Sequence, residues 1–142
     1  MAAMTRLRFA AMALGGAVGL LTLTAAQPPA ALAVAKGGLW EITGLPGAKG
    51  SERQCVADTV ALAQFEHRGK SCSHKVLSDS GSSVLIEYSC GGAGFGRSKV
   101  DVITPRSLRI DTQGISDDLP FGYVLQARRV GDCPSGSTAS RH

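Results

Sequence analysis

The stretch of this sequence with the clearest chemical potential is the glycine-rich run CGGAGFGRSKV at 90–100. Glycines followed by basic residues also occur in loops that bind phosphate. A dinucleotide-binding loop, however, joins a strand to a helix as G-x-G-x-x-G, and a P-loop ends in G-K-[ST]. Here Gly92, Gly94 and Gly96 are two residues apart, and the residues that follow alternate as in a strand. We interpret the run as a connection between strands in which glycine permits an unusual backbone, and we expect no nucleotide cofactor.

Four cysteines, Cys55, Cys72, Cys90 and Cys133, are the second group with defined chemistry. Together with the nearby histidines they match no zinc-binding spacing, so no metal site is expected. An even number of cysteines in a short exported chain favours two disulfides. A hairpin that folds about Gly81 would place Cys72 opposite Cys90, which favours Cys72–Cys90 with Cys55–Cys133. The rival pairing is Cys55–Cys72 with Cys90–Cys133, and sequence alone does not choose among the three possibilities.

Groups that could act in nucleophilic or acid–base catalysis have no recognisable arrangement. No G-x-S-x-G motif accompanies the many serines. His67 and His74 are interpreted as edge or surface residues, and Asp117-Asp118 as a solvated turn within a polar loop over 113–119. The sequence therefore predicts a protein that is not an enzyme and that carries no cofactor.

The N-terminal residues have the organisation of a secretory signal peptide. Arg6 and Arg8 precede an apolar stretch, and two small-residue cleavage sites follow. A cut after Ala33 fits the A-x-A rule and is favoured, with a cut after Ala26 as the alternative. We expect a periplasmic or secreted protein with no membrane span after cleavage. The expected organisation is a signal peptide over 1–33, a linker over 34–37, a single disulfide-tied β domain over 38–133 and a disordered tail over 134–142.

The charge of the chain gives no sign of a nucleic-acid partner. The leader holds two of the 15 basic residues and none of the 11 acidic ones, so the net charge of the remainder is only +2. Nucleic-acid binding needs a basic patch with interleaved aromatic residues, and the basic residues here are scattered along the chain. Arg128 and Arg129 should point to opposite faces of a strand and therefore should not form one patch.

Alternation of apolar and polar residues predicts about seven strands, mostly linked as hairpins, with one helix after the second strand. The helix is expected over 57–67, where Asp58 can cap the first turn and Leu62 and Phe65 share one face. The fold class is mainly β with one short helix: an antiparallel meander that forms a curled sheet or a small barrel.

Three motifs occur in order along the chain: GLWEI at 38–42, the cysteines with the glycine-rich run, and ARRVGDC at 127–133. This arrangement resembles the bacterial exported family known as domain of unknown function 3617, over 38–133. The resemblance implies a helix entry at Cys55-Val56-Ala57-Asp58 and an R-x-G-x-C ending, but no activity, substrate or catalytic residue. The chain departs from many members in lacking a Met- and Gly-rich segment after the first strand.

Two functional hypotheses follow. The first is a non-catalytic binding module whose curled sheet encloses an apolar small ligand or an envelope component. The alternative is a small secreted inhibitor or protein-interaction domain that presents a loop, 91–96 or 114–120, to an envelope enzyme. A monomer is expected. An apolar cavity between helix and sheet would favour the first hypothesis, and a filled interior with an ordered loop the second. The candidate contact residues are Trp40, Tyr88, Phe95, Arg97 and Tyr123.

Overall fold

Alternating residues from position 36 onward form seven antiparallel strands in the computed structural model, which describes residues 27–139. Most of the predicted signal peptide, residues 1–26, and the end of the predicted tail, residues 140–142, lie outside the described residues. The strands are β1 (Lys36–Thr43), β2 (Glu52–Asp58), β3 (Ser73–Asp79), β4 (Ser83–Ser89), β5 (Gly94–Thr104), β6 (Ser107–Ser116) and β7 (Leu119–Gly131). The helical segments are α1 (Val60–Ala63) and three 3₁₀ turns, Ala30–Leu32, Phe65–His67 and Gly91–Ala93.

The seven strands form one sheet in the order β2-β1-β7-β6-β5-β4-β3. All neighbouring strands are antiparallel, and β1 pairs with β7 as well as with β2. Strands β2 and β3 are the two edges, so the sheet is open and curled rather than closed as a barrel. The predicted fold class is confirmed: mainly β, with about seven strands and one short helix inserted after the second.

The helical segment after β2 is shorter than the predicted 57–67. Helix α1 ends at Ala63, and Gln64 has φ −104° and ψ 32°, which interrupts the helix before the 3₁₀ turn Phe65–His67. The Asp58 carboxylate accepts a hydrogen bond from the main-chain N–H of Val60 at 2.9 Å, as the predicted cap requires. One turn of helix cannot persist alone, so its apolar residues must pack on the sheet.

The predicted polar loop at 113–119 is wrong. Strand β6 continues to Ser116 and β7 begins at Leu119, so only Asp117 and Asp118 connect them. Both aspartates have positive φ, 48° and 64°, as a tight two-residue hairpin turn demands. Such turns usually contain glycine or asparagine, and the Asp-Asp pair therefore gave little sign of a hairpin.

The inner face of the curled sheet is filled by the chain's own side chains. Leu62 and Phe65 from the helical segment are fully buried against it. Ala31 and Leu32, in the first 3₁₀ turn, are also buried, and this turn contacts β4 and β5. We call residues 29–33 the N-terminal strap. The fully buried inner-face residues predicted from alternation are Trp40, Ile42, Val100, Leu108, Ile110 and Leu125.

Candidate functional site

Two disulfides link the strands: one closes a hairpin, and the other joins β2 to the segment after β7. Cys72 is bonded to Cys90 at the open end of the β3–β4 hairpin, with 4.2 Å between their Cα atoms. Cys55 in β2 is bonded to Cys133 just beyond β7, with a Cα separation of 5.4 Å. The favoured pairing is therefore confirmed.

The glycine turn, which we define as residues 90–94, is held by its neighbours on three sides. The disulfide fixes Cys90, whose N–H donates to the Gly94 carbonyl oxygen at 2.8 Å. The Ala93 carbonyl oxygen accepts two hydrogen bonds, from His67 Nε2 at 3.0 Å and from the Asp117 N–H at 3.3 Å. The two loops that the sequence suggested as presenting elements thus contact each other directly. The turn is ordered by a covalent bond, a buried side chain and the β6–β7 turn.

His67 is the buried side chain beneath the turn, at 3% exposure, so the expectation that it is an edge or surface residue is wrong. Because a carbonyl oxygen only accepts, His67 Nε2 donates to Ala93, and the Nδ1 atom then accepts from the Tyr88 hydroxyl at 3.3 Å in the neutral ring. In the same interior, the Ser98 hydroxyl group lies within hydrogen-bond distance of the Ala63 carbonyl oxygen and, at 2.8 Å, of the Thr112 hydroxyl group. These polar groups satisfy one another inside the protein.

Two glycines of the run, Gly94 and Gly96, permit close packing. Gly94 has φ 123°, and a Cβ atom there would overlap the carbonyl oxygen of Ile115 and approach His67 Nε2 to 2.8 Å. A Cβ atom on Gly96 would overlap the hydroxyl group of Tyr88. The glycine-rich run is therefore a strand connection with an unusual backbone, as interpreted from the sequence.

An apolar row crosses the outer face of the sheet beside the glycine turn. The register places Phe95 opposite Ile115, and Ile115 opposite Pro120. Phe95 is 54% exposed, and Leu119 at the adjoining turn is 69% exposed. A groove of about 460 Å³ runs along this row, and we call it the aromatic groove. It is lined by Glu87, Phe95, Gly96, Arg97, Gln113, Gly114, Ile115, Pro120 and Phe121.

A charged pair borders the aromatic groove. Arg97 Nη2 lies 2.8 Å from Glu87 Oε2, and both side chains are about half exposed. An ion pair at the surface contributes little to stability, because solvent screens it. Its groups remain available at the rim of the groove, where they could form hydrogen bonds with another molecule.

A second groove of about 680 Å³ adjoins the first, and Pro120 and Phe121 line both. Tyr123 lines this second groove and donates a hydrogen bond to Glu66 at 2.6 Å. Burial, reinforced by the Glu66 carboxylate, raises the pKa of Tyr123, and burial raises the pKa of Tyr88 to about 12. Both phenols are therefore protonated at neutral pH and act as hydrogen-bond donors.

The structure separates the five candidate contact residues into two groups. Trp40 and Tyr88 lie in the interior, where Trp40 Nε1 donates to the Lys36 carbonyl oxygen at 3.3 Å. Phe95 and Arg97 line the aromatic groove, and Tyr123 lines its neighbour. A contact role for each of the five stays a prediction.

Sequence reasoning missed two apolar members of this surface, Leu119 and Phe121. Leu119 was assigned to a polar loop, although it stands next to Pro120 and begins a strand. Phe121 alternates with the residues of β7 that face the interior. It lies near the start of that strand, where it is half-buried. From sequence alone, an apolar residue near the end of a strand cannot be told apart from a core residue, so it gives little indication of a surface groove.

Within 27–139, no three His, Cys, Asp or Glu side chains are grouped so that they could hold a metal ion. No helix in that same part of the chain is long and apolar enough to cross a membrane.

Comparison with known proteins identifies the family of this chain but assigns it no activity. A family model described as a protein of unknown function, DUF3617, matches residues 35–133. The match begins just before β1 and ends at Cys133, so it covers the whole sheet and both disulfides. The resemblance found in the sequence is thus confirmed. No curated protein and no solved structure matches the chain.

Proposed function

Since this chain belongs to the DUF3617 family, whose description assigns no activity, we propose a function from its geometry: a non-catalytic module that binds an envelope protein. The aromatic groove is the proposed contact surface. The observation that carries the proposal is the exposed ring of Phe95, which follows directly after an anchored turn. This is the loop-presenting hypothesis. The filled inner face gives no support to an apolar ligand enclosed by the sheet.

The anchoring of the glycine turn supports binding because it lowers the entropic cost of association. A loop that is ordered before binding loses little conformational freedom when a partner arrives. Exposed aromatic rings are enriched at the centres of protein interfaces, where they contribute most of the binding free energy. Phe95 combines both properties, and the Arg97–Glu87 pair supplies a polar rim.

The hydrogen bonds of the buried polar groups support a non-catalytic role. His67 is only 3% exposed, and its ring nitrogens lie within hydrogen-bond distance of the Ala93 carbonyl oxygen and the Tyr88 hydroxyl group. A general base must be able to reach a substrate proton. These groups instead stabilise the turn and the end of the sheet.

The two disulfides support a position outside the cytoplasm. Disulfides persist in oxidising compartments and are rare where thiols are kept reduced. Together with the predicted signal peptide, they favour a partner in the periplasm or outside the cell. We therefore propose that the aromatic groove meets its partner there.

Photo-crosslinking tests this proposal in the native envelope. Benzoylphenylalanine replaces Phe95 in one variant and Ile103 in a matched control, since Ile103 is 62% exposed near the other end of β5. We expect one discrete protein adduct from position 95 and none from position 103. Excess unlabelled protein should suppress this adduct. The Phe95→Ser variant should compete about 30-fold more weakly, because truncating a central aromatic residue costs about 2 kcal/mol.

Three outcomes would overturn the proposal: no adduct, the same adducts from both positions, or an adduct that unlabelled protein does not suppress. A lipid adduct at position 95 would instead favour the apolar-ligand hypothesis. Far-ultraviolet circular dichroism of each variant confirms that the sheet has formed before the result is interpreted.

A further inference from the structure

The end of the sheet opposite the glycine turn carries two adjoining grooves of about 420 and 380 Å³. Arg106, in the β5–β6 turn, and Arg129, near the end of β7, line both of them. The first is lined by Thr104, Arg106, Ser107, Arg128, Arg129 and Val130. The second is lined by Val34, Lys36, Pro105, Arg106, Arg129 and Asp132. We call the pair the arginine grooves.

Arg128 and Arg129 lie on opposite faces of β7, as predicted: Arg128 is opposite Glu41 and pairs with it, whereas Arg129 is opposite the buried Trp40. Their positions at the end of the sheet nevertheless bring them to one groove. Both line the first groove, together with Arg106 from the neighbouring turn. The β1–β7 register shifts between Leu39 and Trp40, so the strand is irregular at this end. At such an end, side chains from both faces of a strand can border one groove. Charges that are scattered in the sequence are therefore grouped in space.

The positive charge at the arginine grooves is only partly neutralised. Arg129 Nη2 lies 2.6 Å from Asp132 Oδ1, and Arg128 Nη2 lies 3.4 Å from a Glu41 carboxylate that Arg53 also contacts. Among the described residues, Arg106 has no carboxylate partner, and its Nη2 donates to the Arg129 carbonyl oxygen at 3.3 Å. Lys36 likewise forms no ion pair within 27–139.

The donors of these grooves are suited to an oxyanion. Arg129 Nε donates to the Gly37 carbonyl oxygen at 2.9 Å, so main-chain atoms orient its guanidinium group. The hydroxyl groups of Thr104 and Ser107 stand beside the arginines in the first groove. Guanidinium groups bind phosphate and carboxylate oxygens through paired, charge-assisted hydrogen bonds. No carboxylate lines the first groove.

We propose that the arginine grooves bind a phosphate group or a comparable oxyanion, with Arg106 and Lys36 supplying charge that no carboxylate offsets. This site is at the opposite end of the sheet from the aromatic groove and does not depend on the function proposed above. The phosphate could be inorganic phosphate or the headgroup of an anionic phospholipid. Val34, which lines the second groove and is 53% exposed, provides an apolar contact beside the same charges.

The test has two arms, both with the full protein. In the first, ¹H–¹⁵N NMR follows a titration with inorganic phosphate at constant ionic strength, since salt screens such binding. We expect saturable shifts confined to the residues that line the two grooves, at 34–36, 104–107 and 128–132. The Arg106→Gln variant should bind about tenfold more weakly, because it loses a charged hydrogen-bonding group. Lys49→Gln removes a positive charge from an exposed residue in the β1–β2 connection and should leave the affinity unchanged.

In the second arm, the protein is sedimented with vesicles of phosphatidylglycerol and, in parallel, of phosphatidylcholine. Arg106-dependent binding to phosphatidylglycerol alone would identify a lipid headgroup, whereas phosphate binding without vesicle binding would identify a free oxyanion. Both results support the site. Absence of saturable binding in both arms would overturn it, and so would equal weakening by Lys49→Gln and Arg106→Gln, since charge alone would then explain the effect.

Discussion

Both ends of the curled sheet are closed by a short 3₁₀ turn, but the two turns are held in different ways. At one end, Gly91–Ala93 is fixed by the Cys72–Cys90 disulfide and by hydrogen bonds to Ala93. At the other end, Ala30–Leu32 is held without a covalent bond. Its apolar side chains enter the interior, and the Asp79 carboxylate accepts the N–H groups of Ala30 and Ala31.

The difference shows how the small domain divides its stabilising interactions. The 3₁₀ turn at the disulfide end, Gly91–Ala93, buries none of its own side chains. The surface beside it can therefore carry an exposed aromatic residue. The strap end contributes Leu32 to the core and therefore depends on burial. Which predicted cleavage site is used decides whether the strap is retained: a cut after Ala26 keeps it, and a cut after Ala33 removes it.

The largest expected effect comes from the disulfides. Replacing Cys55 and Cys133 by alanine should lower the free energy of unfolding by about 4.5 kcal/mol, and replacing Cys72 and Cys90 by about 3 kcal/mol. The reason is chain entropy, because the two bonds close loops with sequence separations of 78 and 18. Urea unfolding of both double variants measures the two values.

The two double variants should also differ in which backbone amides lose protection from hydrogen exchange. Loss of Cys72–Cys90 should speed hydrogen exchange at the Asp117 amide, which bonds to the glycine turn. Loss of Cys55–Cys133 should leave that amide protected in the native state. If the shorter loop costs more stability than the longer one, native contacts around Cys90 and not loop entropy dominate its contribution.

Much of the β3–β4 hairpin was predictable because its information is local. Polar residues around Gly81 mark the turn, and folding about Gly81 gives the register from Ser73 to Val76; between Val76 and the turn the pairing shifts by one residue. His74 therefore lies opposite Tyr88, and the disulfide follows from that register. The glycine run was also correctly interpreted as a connection. Its particular glycines could not be explained from sequence, since Gly96 makes room for a tyrosine from another strand.

Features that depend on distant segments were missed. The burial of Ala31 and Leu32 in the strap has no local signal in the sequence, because it depends on contacts with β4 and β5. The arginine grooves bring the turn at Arg106 close to the end of β7 at Arg129. Strand alternation describes only the faces of one strand, so it does not predict this proximity. The Asp117-Asp118 turn resembled a loop because neither residue is glycine.

The second-largest expected change in the free energy of unfolding comes from the N-terminal strap. Leu32→Ala should lower the free energy of unfolding by about 3 kcal/mol, since it removes a fully buried leucine and leaves a cavity. Val34→Ala, two residues along, should change stability by no more than about 0.5 kcal/mol because Val34 is 53% exposed. Chemical denaturation of both variants provides the comparison. Equal, small losses would mean that the strap does not pack into the core in solution.

The smallest effect is the pH dependence of the strap. Hydrogen bonds from Gly81 and then from Ala31 and Ala30 hold the pKa of Asp79 below its ordinary value of 3.8. A carboxyl group whose pKa is lowered on folding stabilises the folded state above about pH 4, and that contribution disappears as the pH falls through the folded-state pKa. Acid should therefore loosen the strap before the glycine turn, whose anchors include a disulfide.

Hydrogen exchange of the Ala31 and Asp117 amides between pH 6 and pH 3, corrected for intrinsic rates, checks this order. Protection at Ala31 should fall toward pH 3, while protection at Asp117 persists. The Asp79→Asn variant should show reduced protection at Ala31 that no longer varies over this range, because the amide side chain does not titrate. Asp111→Asn is the matched control, since Asp111 pairs only with Arg109 at the surface. If both amides lose protection together in the parent protein, the two ends unfold as one unit and their different anchoring has no energetic consequence.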